Sequence, residues 1–265
     1  MPAPPWFDDV DIAILDLDGT VHDDTAFVPV YLALLSEEVG PTAGARIDDE
    51  VRRILARRHP VSLGSLYDPG RDEVWAAALR GEGLATTWHG EPLLNPHNPP
   101  ADALYLGDAW QTVRAVALHH RVDDQALRRA FIRTRQRMND PAVPLPGAAT
   151  IDTALAAFAG ARHRVLASNT AEALARPLVE RLGLSGAFDE IVLDAGKPEG
   201  LRALLEGVLA RFDVGPERVV CAGDNLRNDI APARRAGCRT VLVDPFSVCS
   251  NGEADVVVRR LVELA

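Results

Sequence analysis

Several short apolar runs in this chain each stop at a polar or acidic residue, and that pattern restricts the fold more than any other feature. Ile12-Ala13-Ile14-Leu15 stops at Asp16, Val165-Leu166-Ala167 at Ser168, and Val219-Val220-Cys221-Ala222 at Gly223-Asp224. Glu190-Ile191-Val192-Leu193 runs into Asp194, and Thr240-Val241-Leu242-Val243 into Asp244. A short apolar run bounded by turn residues reads as a strand covered on both faces, as in a parallel sheet. A helical stretch follows from Ala171, and another over Ile230 to Arg235 is stopped by Gly237. Strands of this kind alternating with helices define an α/β fold, in which ligands bind outside the carboxyl ends of the strands.

The first of these ends is Asp16-Leu17-Asp18-Gly19-Thr20. While the chain stays extended, residues two apart share a side, and Gly19 then lets the backbone turn sharply. Two like charges ~4 Å apart repel by roughly 4 kcal/mol at an effective dielectric of ~20. Such a pair is kept where a cation neutralises it or chemistry uses it; a solvated Asp-Asp-Gly turn is the plainer alternative.

Lys197 is the one lysine among 28 basic residues. A composition so biased towards arginine reflects codon usage, but the surviving lysine is informative. A compact point charge with three donors cannot be replaced by the flat, wide guanidinium fork. It sits in Asp194-Ala195-Gly196-Lys197-Pro198-Glu199-Gly200, and an ordinary surface loop is the other reading. Ser168-Asn169-Thr170 stands at a strand-to-helix turn, where free N–H groups hold an anion, although these residue types also serve as plain helix caps. Gly223-Asp224-Asn225 is followed by Asn228 and Asp229.

Together these strand ends resemble the haloacid-dehalogenase (HAD) superfamily. Asp16 to Thr20 matches its first motif, DxDG[TV]. Ser168 matches the second, a Ser or Thr ending a strand, and Lys197 the third, a lysine in a loop before a helix. Gly223-Asp224 and Asp229 match the fourth, GDxxxxD. The match covers roughly residues 8–22 and 148–265. The resemblance implies a Rossmann-like parallel-sheet core with an inserted, mostly helical cap: core over 1–21 and 147–265, cap over 22–146.

It also implies roles. Asp16 is the expected nucleophile and forms an aspartyl-phosphate. Asp18 is the general acid and base. Ser168 holds a phosphoryl oxygen and Lys197 supplies positive charge to it. Mg²⁺ is the expected cofactor, held by the Asp16 and Asp224 carboxylates and the Asp18 carbonyl. Asn169 and Asp229 are expected to support these groups from behind. The expected function is a Mg²⁺-dependent phosphatase acting on a phosphorylated small molecule. Phosphotransfer to a second hydroxyl substrate, and a binding protein that keeps the fold without turnover, remain the alternatives.

The same residues separate branches of the superfamily. Dehalogenating members usually lack an acid two residues after the nucleophile, so Asp18 favours phosphoryl transfer. With no lysine besides Lys197, a Schiff base from the cap is not available. Asp24 and Val28 stand where the sugar-phosphate mutases carry Thr and His.

A length of 265 residues at 47% hydrophobic composition allows a large core, and no apolar run approaches the ~18 residues of a membrane span. Met1 to Trp6 lacks the basic and apolar regions of a signal peptide, and Cys221, Cys238 and Cys249 show no metal-site spacing. A cytoplasmic protein is expected. Its net charge of −10 disfavours nucleic acid as a partner. Oligomeric state is open.

Within the insertion, helices are predicted over Pro29–Val39, Ile47–Arg58, Arg71–Leu79, Leu106–His120 and Asp123–Met138, the last capped by Asp123. Hinges are expected near Thr20–Asp24 and Val143–Gly147. Gly83 to Asp102, rich in proline, reads as a long loop. Trp88 and Arg114 are candidate substrate contacts. His89 and His97 lack a third ligand at telling spacing, and His119-His120 is expected to meet the helix dipole or solvent.

Overall fold

The computed structural model describes residues 4–76, 84–94, 97–247 and 252–265. The chain divides into two compact units, residues 1–24 with 135–265, and residues 25–134. In chain order the strands are β1 (Ile12–Leu15), β2 (Leu66–Asp68), β3 (Glu73–Trp75), β4 (Ala85–Thr87) and β5 (Leu104–Tyr105). They continue with β6 (His163–Ala167), β7 (Glu190–Val192), β8 (Val219–Gly223), β9 (Arg239–Val243) and β10 (Val256–Val258). The α-helices are α1 (Val28–Val39), α2 (Pro41–Leu55), α3 (Ala109–His119) and α4 (Asp124–Asn139). After these come α5 (Ile151–Ala156), α6 (Glu172–Arg181), α7 (Glu199–Phe212) and α8 (Ala231–Arg235).

The first unit is built on a six-stranded sheet ordered β10-β9-β8-β1-β6-β7, and each of its neighbouring pairs is parallel. All four residues of β1 are buried, as a strand with neighbours on both edges and covered faces requires. Ile12, Ile14, Val165, Val219 and Cys221 form one core cluster with Leu201, Leu205 and Val208 of α7. Strands β6 and β8 both flank β1, so the order reverses there, which makes the carboxyl end of β1 the switch point of the sheet. Leu15 lies in register with Leu166 on one side and Ala222 on the other. One residue further along the three strands come Asp16, Ala167 and Gly223. Parallel register therefore brings residues from distant parts of the chain to one edge.

The second unit contains a four-stranded antiparallel sheet, ordered β4-β3-β2-β5, with helices. Helix α2 starts at Pro41, six residues before the predicted start at Ile47, with proline in its first turn where a missing N–H costs nothing. Helix α3 starts at Ala109 rather than Leu106, because Asp108 caps it and accepts from the Gln111 N–H at 2.7 Å. Asp123 caps α4 as expected, accepting from Gln125 N–H at 2.7 Å.

The helix predicted over Arg71–Leu79 is corrected. Asp72 takes a positive φ of 60° and its N–H bonds the Asp68 carbonyl at 2.8 Å, closing a turn. Val74 and Trp75, residue types that favour strands, then pair with Tyr67 and Leu66. The last part of that expectation, 77–79, lies outside the described residues, as do Gly83, Asn95, Pro96 and Cys249. The long loop expected from Gly83 contains β4 and a bridge between Thr86 and Pro92.

Leu15 is fully buried in the central strand. Leu15→Ala is expected to cost about 2–5 kcal/mol, read as a lowered urea midpoint with an unchanged denaturant slope.

Candidate active site

Each strand end delivers a side chain by local geometry. After β1 the backbone turns back on itself, with Val21 N–H and His22 N–H bonding the carbonyls of Asp16 and Leu17. Gly19 has φ +76°, and a Cβ there would stand 2.2 Å from Asp224 Oδ2. The loop after β1 and the carboxylate after β8 thus meet across a gap that only glycine leaves open. At the end of β8, a Cβ on Gly223 would stand 2.3 Å from the Asp229 Cβ. Asn225 accepts from the Arg227 and Asn228 N–H groups, which opens a single π-helical turn, Leu226–Ile230, that carries Asp229 back to the sheet.

At the end of β6, Ser168 is buried, and its Oγ accepts from the Thr170 N–H at 3.1 Å. Asn169 clamps the backbone of Lys197 from both sides: Oδ1 accepts its N–H at 2.7 Å and Nδ2 donates to its carbonyl at 3.0 Å. Ala195 N–H donates to the Ser168 carbonyl at 2.9 Å, stitching the lysine loop to β6.

These elements converge on a buried ionic cluster. Lys197 Nζ donates to Asp16 Oδ1 and to Asp229 Oδ1, each at 2.6 Å. Asp229 Oδ2 accepts from the Asn225 N–H at 3.2 Å. One carboxylate oxygen each from Asp16, Asp224 and Asp229 lies within 4.8 Å of the other two. Asp16 Oδ2 has a long contact of 3.4 Å from the Thr20 hydroxyl. Burial pushes the Asp16 carboxyl up to about 7, with Asp229 and Asp18 adding to the rise and Lys197 opposing it. The Lys197 ammonium is opposed by burial, yet the two carboxylates outweigh that and hold it charged above the ordinary range.

Asp18 has partners of its own. Arg135 Nη1 donates to Oδ1 at 2.7 Å and Thr170 Oγ1 to Oδ2 at 2.8 Å. Burial raises this carboxyl, but Arg135 and Thr170 outweigh it and bring it below the usual carboxylate range. The Arg135 side chain is itself buried, and its Nε and Nη2 have no hydrogen-bond partner, so Asp18 is its one charge-paired contact among the described residues.

The structure thus brings Asp16, Asp224, Asp229, Lys197 and Asn169 into one connected cluster. Ser168 and Asp18 are joined to it through the loop after β6. Trp88 and Arg114 lie in the second unit with partners there. Trp88 is fully buried and donates to Glu50, and Arg114 stands 3.7 Å from Asp124 beside a cavity of about 500 Å³ lined also by Tyr31, Trp110 and Phe131. Arg135 and Thr170 carried no assigned role in the sequence reading. Thr170 lies in the quoted Ser-Asn-Thr turn, whereas Arg135 is one arginine among many in α4.

The haloacid dehalogenase-like hydrolase family matches residues 10–237, and the chain belongs to that family. The phosphoserine phosphatase of Thermus thermophilus is 30% identical over 247 residues, covering 88% of each chain. A phosphoglycolate phosphatase of Chromobacterium violaceum is 35% identical over 105 residues, covering 38% of this chain and 46% of that one. Among solved structures, the HAD-hydrolase YfnB of Bacillus subtilis, bound to magnesium, superimposes with a TM-score of 0.56 at 18% identity over 96% of both chains. The L-2-haloacid dehalogenase of Xanthobacter autotrophicus gives 0.51 at 20%, also over 96% of both. These two likenesses establish the shared α/β fold.

Two substitutions test the charge arrangement. Lys197→Met leaves two buried carboxylates without their cation and is expected to destabilise the protein by about 3–5 kcal/mol at neutral pH, measured by denaturant unfolding. Arg135→Gln removes the cation that holds Asp18 ionised, so the Asp18 carboxyl should titrate at a higher pH. Carboxyl carbon NMR without added metal reads that shift, and an unmoved or lowered titration contradicts the pairing.

Proposed function

We propose that the protein is a Mg²⁺-dependent phosphatase that hydrolyses a small-molecule phosphate monoester through an aspartyl-phosphate on Asp16. The observation that carries this reading is the contact of Lys197 with Asp16 beside a second acid, Asp18, at the switch point of the sheet. The lysine holds Asp16 Oδ1, which leaves Oδ2 as the oxygen to attack phosphorus. As the phosphorus–ester bond breaks, Asp18 gives its proton to the departing alcohol oxygen. Asp18 then removes a proton from water, which attacks the aspartyl-phosphate, releases inorganic phosphate and regenerates the Asp16 carboxylate.

The Arg135 pair favours the ionised form of Asp18, the form that serves as base towards water. For the first step Asp18 has to take up a proton against the pull of the Arg135 contact. Ser168 and Lys197 are placed to hold phosphoryl oxygens, and the work asked of them is positioning and charge neutralisation.

The donor set fits Mg²⁺. Three carboxylates approach within 4.8 Å, and every side-chain donor is oxygen, which a hard cation prefers. The gap over Gly19 keeps Asp224 close to the loop after β1. Asp16 and Asp224, with the Asp18 carbonyl, would hold the ion, and Asp229 would position Lys197 beside it. Bound there, it would offset the negative charge of the phosphoryl group and the carboxylates. The magnesium-bound relative and the two phosphatase relatives support this reading. The inserted residues, 22–146, are proposed as the cap that sets substrate choice.

The test is phosphate release from a panel of monoesters, headed by phosphoserine and phosphoglycolate, with Mg²⁺ and with EDTA. Activity is expected to disappear in EDTA and to fall by about 10³-fold or more in Asp16→Asn. Turnover that survives Asp16→Asn rules out the aspartyl-phosphate route.

A further inference from the structure

Within the second unit lies a charged cluster that the hydrolytic chemistry does not use. Glu50, in the last turns of α2, is buried, and its two oxygens are held differently. Oε1 accepts from the Trp88 indole N–H at 2.7 Å and lies 3.0 Å from His59 Nε2. Val61 N–H donates to His59 Nδ1 at 3.1 Å, so the ring proton sits on Nε2 and points at Glu50. Oε1 is therefore occupied by two donors. Oε2 instead faces His120 Nε2 at 2.6 Å.

His119, beside it, is oriented from behind. Asp72 Oδ1 accepts from the Tyr67 hydroxyl at 2.8 Å and faces His119 Nδ1 at 2.8 Å. A carboxylate at Nδ1 keeps the proton there and leaves the lone pair on Nε2. The His119 ring is also fixed by stacking on Trp88, with centroids 4.5 Å apart and planes 10° apart. One donor atom each from Glu50, His119 and His120 lies within 4.8 Å of the other two.

We propose that Glu50, His119 and His120 form a binding site for a zinc-class divalent cation, separate from the carboxylate cluster at the sheet edge. Two imidazoles and one carboxylate are a donor set that suits zinc, whereas magnesium prefers oxygen throughout. The surrounding groups are those of a prepared site. Asp72 sets the His119 tautomer, while Trp88 and His59 turn Oε2 towards the imidazoles. The His120 side chain is 27% exposed, which provides a way in. At 2.6 Å the Glu50–His120 contact is a hydrogen bond, and the cation takes the place of that bridging proton. The two atoms then separate to roughly 3.3 Å, as ligands about 2.0–2.1 Å from a tetrahedral ion must. The ion would fasten α2 to the carboxyl end of α3. The inference does not rest on the phosphatase reading.

The full chain, stripped with a chelator and returned to millimolar Mg²⁺, is titrated with Zn²⁺ against a chromogenic competitor. One tightly held equivalent is expected. It should weaken at least tenfold in His119→Ala or His120→Ala and about 10–100-fold in Asp72→Asn, and stay unchanged in Asp16→Asn and His97→Ala. X-ray absorption at the zinc edge of the wild-type protein should show two imidazole nitrogens and oxygen. This measurement decides the matter if the histidine variants fail to fold. Failure to retain zinc, equal retention in every variant, or a sulfur or oxygen-only shell overturns the proposal. Loss of phosphatase activity with zinc binding intact bears only on the other site.

Discussion

One ammonium group holds the carboxyl edge of the sheet together. Lys197 Nζ lies 2.6 Å from both Asp16 and Asp229, and all three side chains are nearly excluded from water. Removing charges from water costs several kcal/mol per ion, so such a cluster persists only when the geometry supplies close partners. Here the geometry comes from the backbone. Asn169 grips the lysine's own peptide groups, the π-turn returns Asp229 to the sheet, and the parallel register fixes Asp16 between β6 and β8. A second cation, Arg135, compensates Asp18 separately. The acid expected to exchange protons thus has a different counter-ion from the acid expected to attack.

How much of this was legible in the sequence depends on how local each signal is. A buried parallel strand is a short apolar run, and the residues that end it reach the ligand-binding edge, so Asp16, Ser168 and Asp224 are marked by what precedes them, while Lys197 is marked by being the one lysine of the chain. Arg135 is marked by nothing nearby, since its partner is 117 positions away and the chain is full of arginines. The antiparallel sheet was missed for a related reason. Its strands are two or three residues long, too short for alternation to show, and the Arg71–Leu79 stretch was read as helix while Val74 pairs across a turn with Tyr67. His119 and His120 were expected to meet the helix dipole or solvent because Asp72 and Glu50 lie 47 and 70 positions back.

The two units divide the chemistry in a way that family membership does not specify. Relatives with this fold include a phosphoserine phosphatase and a haloacid dehalogenase, so the sheet alone carries no substrate. Function has to be argued from Asp16, the acid two residues beyond it and the inserted residues. In the latter, a buried carboxylate surrounded by histidines and tryptophan forms a polar centre in its own right. Its closely satisfied hydrogen bonds favour one arrangement of α2, α3 and the β2–β3 turn.

The burial of Lys197 has a practical consequence for handling the protein. It is the sole lysine and is 8% exposed, so the surface carries its positive charge as guanidinium. Acylating reagents that seek side-chain amines find none within easy reach, and the one present is kept protonated, hence non-nucleophilic, by two carboxylates. Coupling directed at lysine side chains therefore leaves the sheet edge untouched while the fold is intact. Any acylation of Lys197 itself reports that the sheet edge has opened.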